Sequence, residues 1–360
     1  MTGFFSSKYA GLVPYTPGEQ PQDKKYIKLN TNESPFPPSP YAQMFARREA
    51  GELQLYSDPD MRALRATAAE KLGVDTDEIV FTNGSDEILN FAFAAFCDSG
   101  KRAVFADITY GFYKVFARLN CVPYTEIPLD GDFRINVEDY IGCSEKYGPC
   151  GAVFIANPNA PTGIALPLAD IEKIVASNPD SVVVIDEAYV DFGGESAVCL
   201  RNKYKNLLVT QTFSKSRSLA GARLGYGIAC RELISDINTI RFSTNPYNVN
   251  RMTMAAGTGA LTDTEYFGRN VAEIALIRNE TADKLGKIGF TLTDSKTNFI
   301  FAKHEKIDGK ELYLALKEKG ILVRHFDSPR ISAYNRITIG NREQMDAFVA
   351  AVTEIIDEKK

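Results

Sequence analysis

Short apolar runs without alternation punctuate the middle of the chain: AVFA at 103–106, GAVFIA at 151–156, SVVVID at 181–186, NLLVT at 206–210 and GYGIA at 225–229. Uninterrupted runs of this length predict strands buried on both faces. Helical stretches such as LADIEKIVAS (168–177) lie between some of them. Strands alternating with helices predict a mainly parallel α/β sheet flanked by helices. Ligands in such sheets bind beyond the carboxyl ends of the strands, so the residues just after each run are the ones to inspect.

Helical signals precede the runs. SDPDMRALRATAAEKLG predicts a helix with Asp58 as cap, Pro59 at its first position and Gly73 as its stop. NGSDEILNFAFAAFCDSG predicts a second, with Ser85 as N-cap, Asp86 and Glu87 in the first turn and Gly100 at the end. The first 40 residues are rich in Pro, Asn and Gly and read as an extended arm lying on its own domain or on a second subunit. Beyond about residue 250 come a long amphipathic helix (TEYFGRNVAEIALIRNETADKLGKIG), then TNFIFAK, GKELYLALKEKG, ILVRHF, RITIG and a terminal helix. The expected organisation is an arm (1–40) partly joining the small domain, a large α/β domain (41–250) and a smaller α+β domain (251–360).

Composition narrows the function. A chain of 360 residues suggests about two domains. With 41 Lys and Arg against 46 Asp and Glu, net charge is −5, and no basic stripe points to nucleic acid. The N-terminus lacks the layout of a signal peptide, and no run approaches the roughly 20 apolar residues of a membrane span. The six cysteines form no C-x-x-C, which fits a reducing cytoplasm and mostly buried structural thiols. Only two histidines occur, and neither lies in H-x-x-x-H, so zinc hydrolases and His-based triads are excluded and no metal site is expected. His304, in KHEKIDGK, reads as a solvated loop residue, and His325 as a neighbour of Arg324.

The strand ends carry the chemistry. AVFADITYG leads to Tyr110, SVVVIDEAY to Asp186 and Tyr189, and NLLVTQTFSK to Ser214 and Lys215, with Arg223 eight residues on. A partly desolvated lysine can form a Schiff base. A carboxylate ending a buried strand needs a cation, and a pyridinium nitrogen would serve. A helix start at Gly84 and Ser85, with Ser214 and Arg223, suits a phosphate. A tyrosine at a strand end can stack on a flat ring. Singly, each has a bland alternative: surface lysine, helix cap or core aromatic. Together they describe a pyridoxal phosphate site.

NPNAPTG (157–163), DEAY (186–189) and SKSRSLAGAR (214–223) resemble the fold-type I pyridoxal-phosphate aminotransferases. VPYTPG, IKLNTNESPFPPSP, LQLYSDP, NGSDEIL, ITYGFY and NRITIG narrow the resemblance to the histidinol-phosphate aminotransferase family. It runs from about residue 13 to 340. The resemblance implies Lys215 as Schiff-base lysine and proton carrier, and Asp186 on the pyridine nitrogen. It implies Tyr189 on the phenolic oxygen, Tyr110 stacked on the ring, and Ser85, Asp86, Ser214 and Arg223 around the cofactor phosphate. Tyr56 would reach that phosphate from the other subunit of a homodimer, and Tyr15, Arg324 and Arg336 would face the substrates. Those are small molecules, a phosphorylated amine and glutamate/2-oxoglutarate; no nucleic-acid or membrane partner is implied.

One position departs from the family pattern. Where the family often has Asn immediately before PTG, this chain has Ala160, which cannot bond the phenolic oxygen. Within the superfamily, an aromatic amino-acid aminotransferase and a decarboxylase of phosphorylated threonine share the implied cofactor site. A nicotinamide-dependent dehydrogenase would carry G-x-G-x-x-G after the first strand, and this chain has none. A cofactor-free binding protein fits poorly with Lys215 and Asp186 both in place.

Overall fold

The computed structural model describes residues 4–359. Thirteen strands occur among them: β1 (Ile27–Lys28), β2 (Ile79–Thr82), β3 (Arg102–Ala106), β4 (Tyr124–Ile127), β5 (Cys150–Ala156), β6 (Val182–Asp186), β7 (Leu207–Thr212), β8 (Gly225–Ala229), β9 (Phe290–Leu292), β10 (Phe299–His304), β11 (Ile321–Leu322), β12 (Arg324–His325) and β13 (Asn335–Thr338). The α-helices are α1 (Pro40–Glu49), α2 (Arg62–Leu72), α3 (Ser85–Phe96), α4 (Phe112–Leu119), α5 (Cys143–Tyr147), α6 (Leu168–Ser177), α7 (Arg231–Thr244), α8 (Arg251–Thr262), α9 (Thr264–Lys287), α10 (Gly309–Glu318) and α11 (Arg342–Asp357).

Seven strands form the central sheet in the order β2-β8-β7-β6-β5-β3-β4. All pair in parallel except β8, which is antiparallel to both β2 and β7. Every residue of β5 is buried, which explains its unbroken apolar run. One face packs Val184 and Leu208 with Leu89 and Phe93 of α3. The other packs Val183 and Ile185 with Ile171 and Ile174 of α6. The strands β2 and β4 are absent from the expected runs. The three polar-to-intermediate positions of β4 give it no apolar signature.

A four-stranded antiparallel sheet, β12-β13-β10-β9, packs with α9, α10 and α11 around Ile300, Leu316 and Phe348. The strand β1 of the arm pairs in parallel with β11, and Leu29 joins that same cluster. Helix α8 packs instead with Leu64, Phe213 and Tyr226 beside the central sheet. Among the described residues, no helix is long and apolar enough to cross a membrane.

Several local expectations need correction. Helix α2 starts at Arg62, not Pro59, because the Asp58 carboxylate accepts from the N–H of Asp60 and of Arg62 and so closes a turn ahead of the helix. The cap of α3 is Gly84 at φ +77°, and Ser85 is its first helical residue. A side chain there would meet Arg223: an added Cβ would lie 2.4 Å from Nη2. The helix ends at Phe96, and Gly100 belongs to a following turn closed by Asp98. His304 is buried, not solvated; its Nδ1 accepts from the N–H of Lys306 and its Nε2 faces the carbonyl of Ile288. Only Cys97, Cys143 and Cys150 are buried, whereas Cys121 and Cys199 are exposed and Cys230 intermediate.

Candidate active site

Parallel strands β5, β6 and β7 end at one side of the sheet, and a cleft of about 530 Å³ opens there. Ser85, Asp86, Tyr110, Asp186, Tyr189, Ser214, Lys215 and Arg223 all line it, with Ala160. Its floor comes from the last residues of the strands and its rim from the start of α3. Gly225 lets β8 approach that start; an added Cβ would lie 2.3 Å from the backbone nitrogen of Ser85.

Asp186 is the last residue of β6 and is 5% exposed. Its Oδ2 accepts from the Tyr113 hydroxyl at 2.9 Å and its Oδ1 from the N–H of Ala188 at 3.3 Å. Burial pushes the carboxyl up to about 6, although Tyr113 favours the charged form. Lys215 follows β7. Its Nζ lies 3.4 Å from the carbonyl of Thr31 and 5.8 Å from the centroid of the Tyr189 ring.

At the rim, Arg223 Nη2 donates to Asp86 Oδ2 at 2.8 Å and Nη1 to Ser214 Oγ at 3.4 Å. The Tyr110 hydroxyl donates to Asp86 Oδ1 at 2.6 Å. Both carboxylate oxygens of Asp86 are thus occupied, which offsets the repulsion it would exert on an anion. The first N–H groups of α3 have no intrahelical partner and suit an anion. Burial beside Asp86 holds the Tyr110 phenol well above its ordinary value.

A wider opening of about 1560 Å³ adjoins the cleft and shares Tyr110, Tyr189, Lys215 and Arg223 with it. Tyr15, Arg324 and Arg336 line this opening. Tyr15 stacks on Phe112, ring centroids 4.2 Å apart. Arg324 and Arg336 are register partners across β12 and β13. Their hydrogen bonds among the described residues go to backbone carbonyls: Arg324 to Thr16 and Pro17, Arg336 to Asn30. Arg336 Nε is buried without a partner, and burial lowers the guanidinium below its ordinary value.

Tyr56 lies apart from both openings. It is 79% exposed and stacks on Tyr247 at 4.5 Å. Two residues at the site carried no signal of their own in the sequence. Tyr113 sits inside ITYGFY, but nothing in the string says that its hydroxyl meets Asp186. Asn32, in the Pro-rich arm, donates to the Tyr189 hydroxyl at 2.9 Å. Asn159 is turned away and bonded to Ile108, Thr162 and Thr109.

The chain belongs to the aminotransferase class I and II family, whose profile matches residues 24–352. Within that class, the relatives described next share one activity in their names. A histidinol-phosphate aminotransferase of Brachyspira hyodysenteriae is 48% identical over 99% of this chain and 99% of its own. One of a Marinomonas species is 48% identical over 98% of this chain and 99% of its own. The solved histidinol-phosphate aminotransferase of Sinorhizobium meliloti, in complex with pyridoxal-5′-phosphate, superposes with a TM-score of 0.91. It is 23% identical and covers 100% of this chain and 99% of that one; it shares the fold.

Proposed function

We propose that this enzyme moves the amino group of glutamate to imidazole acetol phosphate, giving 2-oxoglutarate and histidinol phosphate, with pyridoxal 5′-phosphate in the cleft. One observation carries the anionic substrates: Arg324 and Arg336 oppose each other across two strands, and among the described residues their hydrogen bonds go to backbone carbonyls and their ring contacts to Phe299 and Phe326, not to a carboxylate. Like charges directly opposite are unfavourable alone, and an anion between them would offset that. The names of relatives at 48% identity select the phosphorylated amine.

The cleft residues fit the cofactor chemically. Asp186 is a buried carboxylate in want of a cation, and a protonated ring nitrogen would supply it. Ser85, the N–H groups opening α3, Ser214 and Arg223 would hold the phosphate, with Asp86 fixing Arg223. Tyr110 would lie on the ring, and Tyr189 would donate to its phenolic oxygen. When bound, pyridoxal phosphate supplies an electron-poor ring that takes up the electrons left as a Cα proton departs.

Lys215 would hold the cofactor covalently. Released by the incoming substrate amine, its Nζ would take the proton from substrate Cα and deliver it to C4′. Tyr15, Arg324 and Arg336 would hold the phosphate of one substrate and the carboxylates of the other. Guanidinium forks suit both anions. Tyr56 would complete the phosphate site of a second copy in a homodimer. The exposed Tyr41, Met44, Leu53, Leu55 and Tyr56 support such a face. A cytoplasmic setting agrees with the free thiols. For domains, we take the arm up to residue 40, a large unit through α8, and a small unit from α9 onward, since α8 packs beside the central sheet.

The test is a single half-reaction. Protein loaded with pyridoxal phosphate is mixed with histidinol phosphate, and in parallel with phenylalanine, while the visible absorbance of the bound cofactor is followed. Rapid loss with histidinol phosphate and little change with phenylalanine is expected. Loss with phenylalanine alone would make this an aromatic aminotransferase and leave Lys215, Asp186 and Arg223 in their roles.

A further inference from the structure

The Tyr189 hydroxyl has one proton, and its neighbours decide where that proton points. Asn32 is 1% exposed and left-handed, at φ +55°, a conformation that asparagine tolerates better than most residues. Its backbone N–H donates to Thr338 Oγ1 at 2.9 Å. Thr338 in turn donates its hydroxyl proton to Asn32 Oδ1 at 3.0 Å. The carbonyl of Asn32 accepts from Asn298 Nδ2 at 3.0 Å. With Oδ1 fixed on Thr338, the amide NH2 must face Tyr189, and Nδ2 donates to Oη at 2.9 Å. A phenol oxygen that accepts this bond keeps its own proton to give elsewhere.

The surroundings leave that proton few takers. Lys215 and Arg336, the charged groups beside Tyr189, carry donors only. Asp186 is engaged by Tyr113 and Ala188. On the Ala160 side, Ala160 itself has no polar side-chain atom and Asn159 spends its amide on Ile108, Thr162 and Thr109. Tyr189 lines the cleft beside Ala160.

We infer that Asn32 is a positioning residue: by donating to Tyr189 Oη it aims the phenolic proton into the cleft, making Tyr189 a one-way donor to the cofactor's phenolic oxygen. The inference rests on the pyridoxal phosphate reading above. It gives the arm a chemical task and assigns to Asn32 and Tyr189 the bond that Ala160 cannot make.

The experiment is a pH titration of the visible absorbance of the cofactor-loaded protein, in wild type, Asn32→Asp, Tyr189→Phe and the double variant. A carboxylate at 32 accepts from Tyr189 and draws the proton away from the cleft. A bond donated to the phenolic oxygen stabilises its anionic form, so losing it raises the midpoint of the colour change. Asn32→Asp is expected to raise the midpoint by about one pH unit, the scale of one hydrogen bond to a charged group. More than half of that rise should vanish in the Tyr189→Phe background. An unmoved midpoint in Asn32→Asp, or an equal rise with and without the Tyr189 hydroxyl, overturns the inference. Should Asn32→Asp not fold, Asn32→Gly keeps the left-handed backbone and removes the amide; a rise of roughly 0.5 pH unit, again dependent on Tyr189, is then expected. A wild type with no visible band would overturn the cofactor reading and this inference together, whereas a normal wild-type band with an unmoved variant overturns this inference alone.

Discussion

The Tyr113 hydroxyl meets Asp186 Oδ2 at 2.9 Å in a region closed to solvent. The bond favours the ionised carboxylate; burial opposes it more strongly and leaves the acid at about 6. In the cofactor-free protein Asp186 therefore binds its proton more tightly folded than unfolded. Its contribution to stability is fully present below about pH 4 and is lost as pH rises to about 6. A shift of this size corresponds to the order of 3 kcal/mol. Glu187, which burial pushes up to about 7, acts in the same direction. Urea unfolding of the cofactor-free protein at pH 4 and pH 7 should show Asp186→Asn losing distinctly less stability over that interval than wild type. Equal losses would contradict the buried-acid account.

Lys215→Ala should lower kcat/KM for transamination by at least about 10³-fold, the upper range for a group that moves protons. Circular dichroism and the melting temperature should change little, since the one hydrogen bond shown for the lysine nitrogen is a long one to a carbonyl and its other near contact is a ring face. Borohydride treatment should fix cofactor to wild type and not to the variant.

Arg336→Gln separates function from stability. Losing a guanidinium fork on a carboxylate should raise KM for glutamate roughly 10- to 100-fold. The same change removes a like-charge pairing with Arg324, so the melting temperature of the free enzyme should stay level or rise. A steep fall in melting temperature would instead make Arg336 a structural residue.

Gly84→Ala should disturb the phosphate cup. The added Cβ would lie 2.4 Å from Arg223 Nη2, and the backbone there is at φ +77°. Destabilisation of about 1–3 kcal/mol is expected, because that φ with ψ 165° is a backbone conformation essentially restricted to glycine. Displacement of Arg223 should also speed cofactor release, measured as absorbance lost on dialysis.

Tyr56→Phe should leave sedimentation unchanged while weakening cofactor retention. Leu55→Asp, at a 54% exposed position on the same face, should shift the protein toward monomer. A wild type that sediments as a monomer would remove the partner's tyrosine from the site.

The central strands were legible because burial on both faces leaves an unbroken apolar signature, as in β5. The strand β4 was not, since YTEI keeps three positions only partly buried. The strand-end positions that line the cleft were legible wherever one residue type has few alternative uses: Lys215 among small residues, Asp186 after VVVI. What escaped were relationships. The reach of Asn32 to Tyr189 and the bond from Tyr113 to Asp186 join segments far apart in sequence, and the register that sets Arg324 opposite Arg336 depends on how two short strands pair; no local pattern encodes any of them. The helix start at Arg62 was missed because Asp58 caps a turn ahead of the helix, and Ser85 looked like a cap because glycine leaves no side chain to advertise its backbone. His304 was misread because its neighbours are polar while its own ring is covered.

The pairing of β1 with β11 carries a consequence for how the protein is made. Residues 27–28 hydrogen-bond with residues 321–322, and Asn32 leans on Thr338. The ribosome delivers the arm long before its seat. Closing so long a loop carries an entropic cost that local helices and neighbouring strands avoid. The central sheet takes no strand from the arm, but the wall of the wider opening formed by Thr31 and Asn32 is seated on the C-terminal strands. A nascent chain therefore lacks that wall until residues 321–338 have emerged, and a truncation before residue 321 would leave the arm with nowhere to dock.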